Sequence, residues 1–292
     1  MYELIQVSEN DYYIQCPAKI GLVKTSPDRV CLIDSGNDRD AGKRAKRILD
    51  AQGWTLSAIF NTHSHADHIG GNRYLQTQTG CAVYAPGIEC DFTRHPILEP
   101  SWLYGGDPPG ELRHKFLMAQ ESRALPLTEE VLPAGWEMIP LPGHSFDMVG
   151  FRTPDDTVFL ADSLSGEETL AKYQIGFLTD VQAYLDTLER VQAMKARVFV
   201  PSHAAAAGDI APLARKNIEK VHEIAERIVA ICREPIDTGH ILKALFDAYG
   251  LTLTFEQYAL IGSALRSYLT WLKGRGLLEA SFEGNMLLWR AV

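Results

Sequence analysis

The stretch Thr62-His63-Ser64-His65-Ala66-Asp67-His68 follows almost directly on the apolar run Ala58-Ile59-Phe60. Four side chains of metal-ligating type fall within six residues. In a loop leaving a strand, His63 and His65 can both turn toward one ion. Asp67 and His68, further on, can serve a second. Neutral imidazole nitrogens and carboxylate oxygens are what zinc, iron or manganese accept. An exposed polar loop is the bland alternative, and four donors in this order argue against it.

Three more candidates lie downstream, each at the end of an apolar run. His144 sits in Leu141-Pro142-Gly143-His144-Ser145, where Gly143 permits a sharp turn. Asp162 closes Val158-Phe159-Leu160-Ala161-Asp162, and His203 follows Val198-Phe199-Val200-Pro201-Ser202. Delivery of ligands from several strand ends onto one edge is how a rigid multi-ligand site is assembled. Taken singly, each would read as a structural histidine or a turn residue; the joint pattern makes them ligand candidates. Ser163 and Ser165 read as turn residues rather than nucleophiles. Gly70-Gly71-Asn72 is no phosphate cradle and is expected to let the segment after the ligands pack closely.

Short apolar strands alternate with helical patterns, notably Asp40 to Gln52 and Val181 to Ala193, which predicts an α/β layered fold. The stretch from about 87 to 130 is rich in proline and glycine and too long for a plain connection. It reads as a poorly ordered insertion or a functional lid, with one or two helical turns near Glu111 to Phe116. From about Leu213 the character turns helical: Ile218, Val221, Ile224, Ile228 and Ile231 recur at three- and four-residue steps. Asp237 can cap a helix that Gly250 ends, and Thr254 can cap another reaching Lys273. Strand-like runs Leu277 to Phe282 and Met286 to Trp289 close the chain. The expected division is a catalytic domain over 1–212 and a helical, winged-helix-like module over 213–292.

The chain has 292 residues, a net charge of −9, 46% hydrophobic and 22% charged residues. That balance fits a globular protein and argues against broad attraction to nucleic acid or acidic membranes. No apolar run approaches the roughly 18 residues that span a bilayer. Met1 to Gln6 lacks a basic region followed by an apolar stretch, so cytoplasmic residence is expected. Five scattered cysteines without a C-x-x-C pair fit reduced, buried thiols.

The run His63-x-His65-x-Asp67-His68, with His144, Asp162 and His203 following in that order, resembles the metallo-β-lactamase superfamily over roughly residues 1 to 210. The resemblance implies a four-layer αββα sandwich with two divalent ions at one edge of its sheets, zinc first, iron or manganese as alternatives. It implies that His63, His65 and His144 hold the first ion, that Asp67, His68 and His203 hold the second, and that Asp162 bridges them. Asp34, in Leu32-Ile33-Asp34-Ser35-Gly36, matches a family position behind the ligands, where it orients an imidazole.

The implied activity is hydrolysis of an ester, thioester, lactone or phosphodiester of a small molecule by a metal-activated hydroxide, with Asp67 also steering the nucleophile. A glyoxalase II thioesterase fits the ligand set, although Ser163-Leu164-Ser165-Gly166-Glu167 departs from the Cys-Gly-Arg stretch expected there. Arg113, His114 and Lys115 are candidates for contact with an anionic substrate, against a solvated charged face. One alternative is a single-stranded RNA endonuclease, suggested by the C-terminal module against the acidic charge. Another is a metal-binding regulatory protein without catalysis. A homodimer is compatible with the sequence.

Overall fold

Period-two burial organises the strands. In the run Arg29-Val30-Cys31-Leu32-Ile33, Val30 and Leu32 face one apolar cluster while Cys31 and Ile33 face another. Both faces are thus buried, as in sheets covered on each side. The computed structural model describes residues 2–292.

Four antiparallel strands open the chain: β1 (Glu3–Gln6), β2 (Asp11–Gln15), β3 (Ile20–Ser26) and β4 (Arg29–Ile33). Helix α1 (Arg39–Gln52) then crosses to β5 (Thr55–Phe60), parallel to β4. Asp38 caps α1 by accepting from the amide of Ala41, and Gly53 ends it in the left-handed conformation. Two short helices, α2 (Ala66–Ile69) and α3 (Asn72–Thr79), lead to β6 (Ala82–Ala85). Helices α4 (Glu89–Arg94) and α5 (Leu98–Tyr104) precede β7 (Ala124–Pro126), which completes a seven-stranded sheet in the order β1-β2-β3-β4-β5-β6-β7.

The second sheet comprises β8 (Glu137–Pro140), β9 (Val149–Arg152), β10 (Thr157–Ala161) and, after α6 (Glu167–Tyr173) and α7 (Val181–Ala193), β11 (Val198–Pro201). The chain ends with α8 (Ala211–Ile231), β12 (Ile236–Asp237), α9 (Thr238–Tyr249), α10 (Phe255–Gly274) and the hairpin β13 (Leu278–Glu283) and β14 (Met286–Ala291). Asp237 and Thr254 cap α9 and α10 as expected, and Gly250 ends α9. Strand β12 adds to the hairpin as a third strand beside β14.

Three apolar layers hold this together. Ala45, Leu49 and Leu75 of α1 and α3 cover the outer face of the larger sheet, packing on Ile20, Leu32 and Ile59. Between the sheets lie Ile33, Phe60, Phe151, Phe159 and Val200. Over the outer face of the smaller sheet, Leu188 of α7, Ile228 of α8, Leu269 of α10 and Trp289 of β14 share one cluster with Val158 and Leu160. Helix, sheet, sheet, helix is the αββα order expected. The third layer runs on past residue 212 into the C-terminal helices without a break.

The stretch from 87 to 130 differs from a poorly ordered insertion. It contains α4, α5, a 3-10 turn at Gly110–Leu112 and β7, and its second half supplies an edge strand of the larger sheet. Leu103, Leu112 and Leu117 are buried against Ala259 of α10. Its leucines, spaced too irregularly for a helical pattern, are what anchor it.

Candidate functional site

Strand direction explains why ligand-type residues meet. β4 and β5 run parallel, so Asp34 and the loop His63 to His65 emerge from the same end of the larger sheet. β10 and β11 are parallel, and β8 shares their direction because each is antiparallel to β9. His144, Asp162 and His203 therefore leave the smaller sheet at one common end. Backbone at these exits is tightly specified. Gly143 has φ 117°, and a Cβ there would meet the backbone N of Tyr184 at 2.2 Å. At Gly70 and Gly71 a Cβ would lie 2.3 Å from the backbone of Asn37 and of Ser35, so α2 sits against the segment after β4 at a distance only glycine permits.

All seven side chains converge. His65 Nδ1 lies 3.1 Å from His63 Nε2 and 3.0 Å from His144 Nε2. His203 Nε2 lies 3.3 Å from Asp67 Oδ2 and 3.1 Å from Asp162 Oδ2, and His68 Nε2 lies 3.2 Å from Asp162 Oδ1. Asp162 also reaches His144 Nε2 at 3.5 Å, so its carboxylate stands between the two groups. Three sets of donor atoms close enough to share an ion result: His63, His65 and His144; His63, His68 and Asp162; and Asp67, His68 and His203.

The outer ring nitrogens fix how the inner ones are presented. His68 Nδ1 donates to Asp34 Oδ2 at 2.8 Å. The Thr62 hydroxyl donates to the same carboxylate and accepts from His63 Nδ1 at 2.9 Å. His144 Nδ1 donates to the carbonyl of Phe177 and His203 Nδ1 to that of Pro17. In a neutral imidazole one nitrogen donates and the other carries a lone pair. In their neutral forms these four rings turn lone pairs inward, against one another and against carboxylates. His68 Nε2 and Asp162 Oδ1 are buried 3.2 Å apart, and neither has a well-aligned hydrogen bond to the other or to any other group. Protons or metal ions relieve such an arrangement.

The electrostatics divide accordingly. Burial, reinforced by the neighbouring imidazoles, holds His63 well below the usual range and His65 down to about 3. Burial also lowers His144. For His68 and His203 burial works against charge, but the facing carboxylates outweigh it; Asp162 and Asp67 push His203 up to about 10. Asp67 and Asp162 are lowered in turn, against their own burial, by those two histidines. Three imidazoles are thus kept neutral, while the other half of the cluster attracts cations.

Arg113, His114 and Lys115 are not brought to this cluster. Arg113 pairs with Asp107, His114 Nε2 lies 3.3 Å from Glu256, and Lys115 donates to Asp38, the α1 cap, at 2.8 Å. Arg113 and Lys115 are each held by an acidic partner, leaving less charge to offer an anion.

Three features beside the cluster carry no sequence motif. Lys19 is buried, and its ammonium donates to the carbonyls of Pro201, Ser202 and Ala204, clasping the segment that bears His203. Glu99 of α5 stands 3.6 Å from His65 Nε2, and burial, with Glu89 and Asp67 adding to it, pushes its carboxyl up to about 8. Phe177 lies edge-on to His65 and His144, with Trp102 and Phe146 beyond it, making an aromatic wall.

An αββα sandwich with this donor set at one sheet edge defines a class, and residues 14–203 match the family model described as the metallo-beta-lactamase superfamily. The chain belongs to that superfamily. It is 28% identical over 194 residues to a hydroxyacylglutathione hydrolase of Methylococcus capsulatus, a match covering 64% of this chain and 64% of that protein. The match thus spans just under two thirds of that relative's length. A second relative, a probable metallo-hydrolase of Bacillus subtilis, is 24% identical over 247 residues, covering 76% of this chain and 88% of its own. Among solved structures, a metallo-beta-lactamase family protein from Thermus thermophilus superposes with a TM-score of 0.73 at 18% identity, covering 99% of this chain and 98% of its own. A beta-lactamase domain protein from Burkholderia ambifaria gives 0.75 at 17% identity, covering 99% and 94%. These likenesses extend through the C-terminal helices and hairpin, so the fold is shared along the whole chain.

Proposed function

We propose that this chain is a hydrolase that uses two divalent metal ions to cleave an ester, thioester or lactone of a small molecule. The observation that carries this reading is the inward convergence of five imidazoles and two carboxylates, with the outer nitrogens of His63, His68, His144 and His203 committed elsewhere. His63, His65 and His144 would hold one ion, Asp67, His68 and His203 the other, with Asp162 serving both. Zinc suits this mixed nitrogen and oxygen set, and iron or manganese are also compatible with it. Bound ions of this kind lower the pKa of water and polarise a carbonyl, which supplies both nucleophile and electrophile.

The protein's own contribution is positional. The carboxylate of Asp67, about a third exposed, reaches the mouth of the site and can accept a hydrogen bond from an attacking water. The Phe177, Trp102 and Phe146 wall beside His65 and His144 offers an apolar flank to an acyl group. A cleft of about 780 Å³ beside His203, lined in part by Pro17, Lys19, Gly166 and Thr169, offers room for a leaving group. The relatives named hydroxyacylglutathione hydrolase favour a thioester among these substrates.

The test is turnover by metal-reconstituted protein on a panel of thioesters, lactones, aryl esters and phosphodiesters. Metal-dependent cleavage of a thioester or ester, abolished by a chelator, is expected. A protein that binds two ions and hydrolyses no member of the panel contradicts the reading.

A further inference from the structure

We propose that Glu89 is a positioning residue: its buried carboxylate locks the His63–His65 loop to the His144 loop and so sets the spacing of those three imidazoles. The inference rests on the metal-binding reading above.

Glu89 begins α4 and is fully buried. A buried carboxylate is tolerated when its oxygens are satisfied, and every contact here serves that end. Oε2 accepts from the backbone N of Ser64 at 3.0 Å and from its hydroxyl at 2.5 Å. Oε1 accepts from the hydroxyl of Ser145 at 2.5 Å and from the backbone N of Asp147 at 3.1 Å. Ser64 lies between His63 and His65, and Ser145 follows His144. One carboxylate thus grips two ligand loops through the residues beside the ligands.

The two loops leave different sheets, so no strand ladder sets their separation. A backbone hydrogen bond from Val149 N to Thr62 O joins their bases; the grip of Glu89 joins the loops themselves. The latch also works in reverse. Asp147 Oδ2 accepts from the backbone N of Ile88 at 2.9 Å, and Gly87, at φ 39°, brings the chain so close that a Cβ would meet that carboxylate oxygen at 2.0 Å. The start of α4 and the His144 loop therefore hold each other through two carboxylates. His63 Nε2 and His144 Nε2, at 3.1 and 3.0 Å from His65 Nδ1, are held at that spacing as a consequence.

Glu89→Gln keeps the shape but replaces one acceptor oxygen by a donor, which then faces donors. The experiment titrates cobalt(II) into the full chain, wild type and Glu89→Gln, and follows both affinity and the visible absorption of each equivalent. The expected result is that one equivalent weakens by about tenfold to a hundredfold, the scale for groups that orient ligands. Its spectrum shifts, while the second equivalent keeps its affinity. Ser145→Ala removes one contact of four; it should weaken the same equivalent less, and serves if Glu89→Gln does not fold. Unchanged affinities and spectra, or a parallel loss of both equivalents, would overturn the proposal. Wild-type protein that takes up two ions yet hydrolyses nothing sinks the functional reading while leaving the clamp intact. Active wild type alongside a variant with unaltered metal binding does the opposite.

Discussion

The Nδ1 of His68 donates to Oδ2 of Asp34 across 2.8 Å, joining the ligand loop to the end of β4. Asp34 stands in left-handed backbone at φ 63°, and its carboxylate also accepts from the amide and hydroxyl of Thr62. One buried carboxylate thereby orients His68 directly and His63 through Thr62. Asparagine tolerates this backbone, so Asp34→Asn isolates the loss of charge and of one acceptor. The expected outcome is metal affinity lower by about tenfold to a hundredfold, with a stability loss of only about 1–2 kcal/mol. Chelator competition and thermal unfolding check the two parts; wild-type affinity in the variant would mean that ring orientation does not depend on Asp34.

Proton and metal compete for the same nitrogens. In the metal-free protein His68 and His203 are raised above the ordinary imidazole value of 6.5, against their burial, by the carboxylates they face. A group whose folded pKa is raised lends stability that is complete below its unfolded value and is lost as pH climbs through the folded one. The metal-free protein should therefore melt at progressively lower temperature between about pH 6.5 and pH 10. Over the same interval metal affinity should rise, by up to about tenfold per pH unit for each proton displaced. Melting curves with and without chelator, and calorimetry in buffers of different ionisation heat, read both slopes. Two flat profiles would show that these histidines carry no extra protons.

Lys19 holds the other side of the site. Replacing it by methionine fills similar space but leaves the carbonyls of Pro201, Ser202 and Ala204 without their donor. A stability loss of about 2–4 kcal/mol is expected, since hydrogen bonds to a charged group exceed neutral ones. Metal should also dissociate faster, because His203 sits within the segment that loosens. A change below about 0.5 kcal/mol, the usual range for a surface substitution, would show that Lys19 does not hold the segment that bears His203.

The convergence of the His63–His68 loop with the other candidates was legible in the sequence because donor-type side chains concentrate there, and that of His144, Asp162 and His203 because each ends an apolar run. The caps Asp237 and Thr254, and the glycines at 143 and 250, were legible because local chemistry alone fixes them. The sheet pairing and the packing of α8 on α7 were less so, since contacts between distant segments leave no periodic trace. Lys19, Glu89 and Glu99 could not be picked out at all. A charged residue reads as solvated until the fold buries it, and nothing in Gly87-Ile88-Glu89-Cys90 distinguishes a buried carboxylate from an exposed one. The leucines of 103–117 were similarly obscured, because the prolines and glycines around them masked an anchored segment.

Metal content decides whether these seven side chains hold two ions. Inductively coupled plasma analysis of the purified, metal-reconstituted chain should find two divalent ions per molecule. Asp162→Ala, which removes the carboxylate shared between the two groups, should leave at most one. His65→Ala should empty the first group. A wild-type chain that retains no divalent metal, or variants that keep the full wild-type content, would mean that these side chains do not hold the ions.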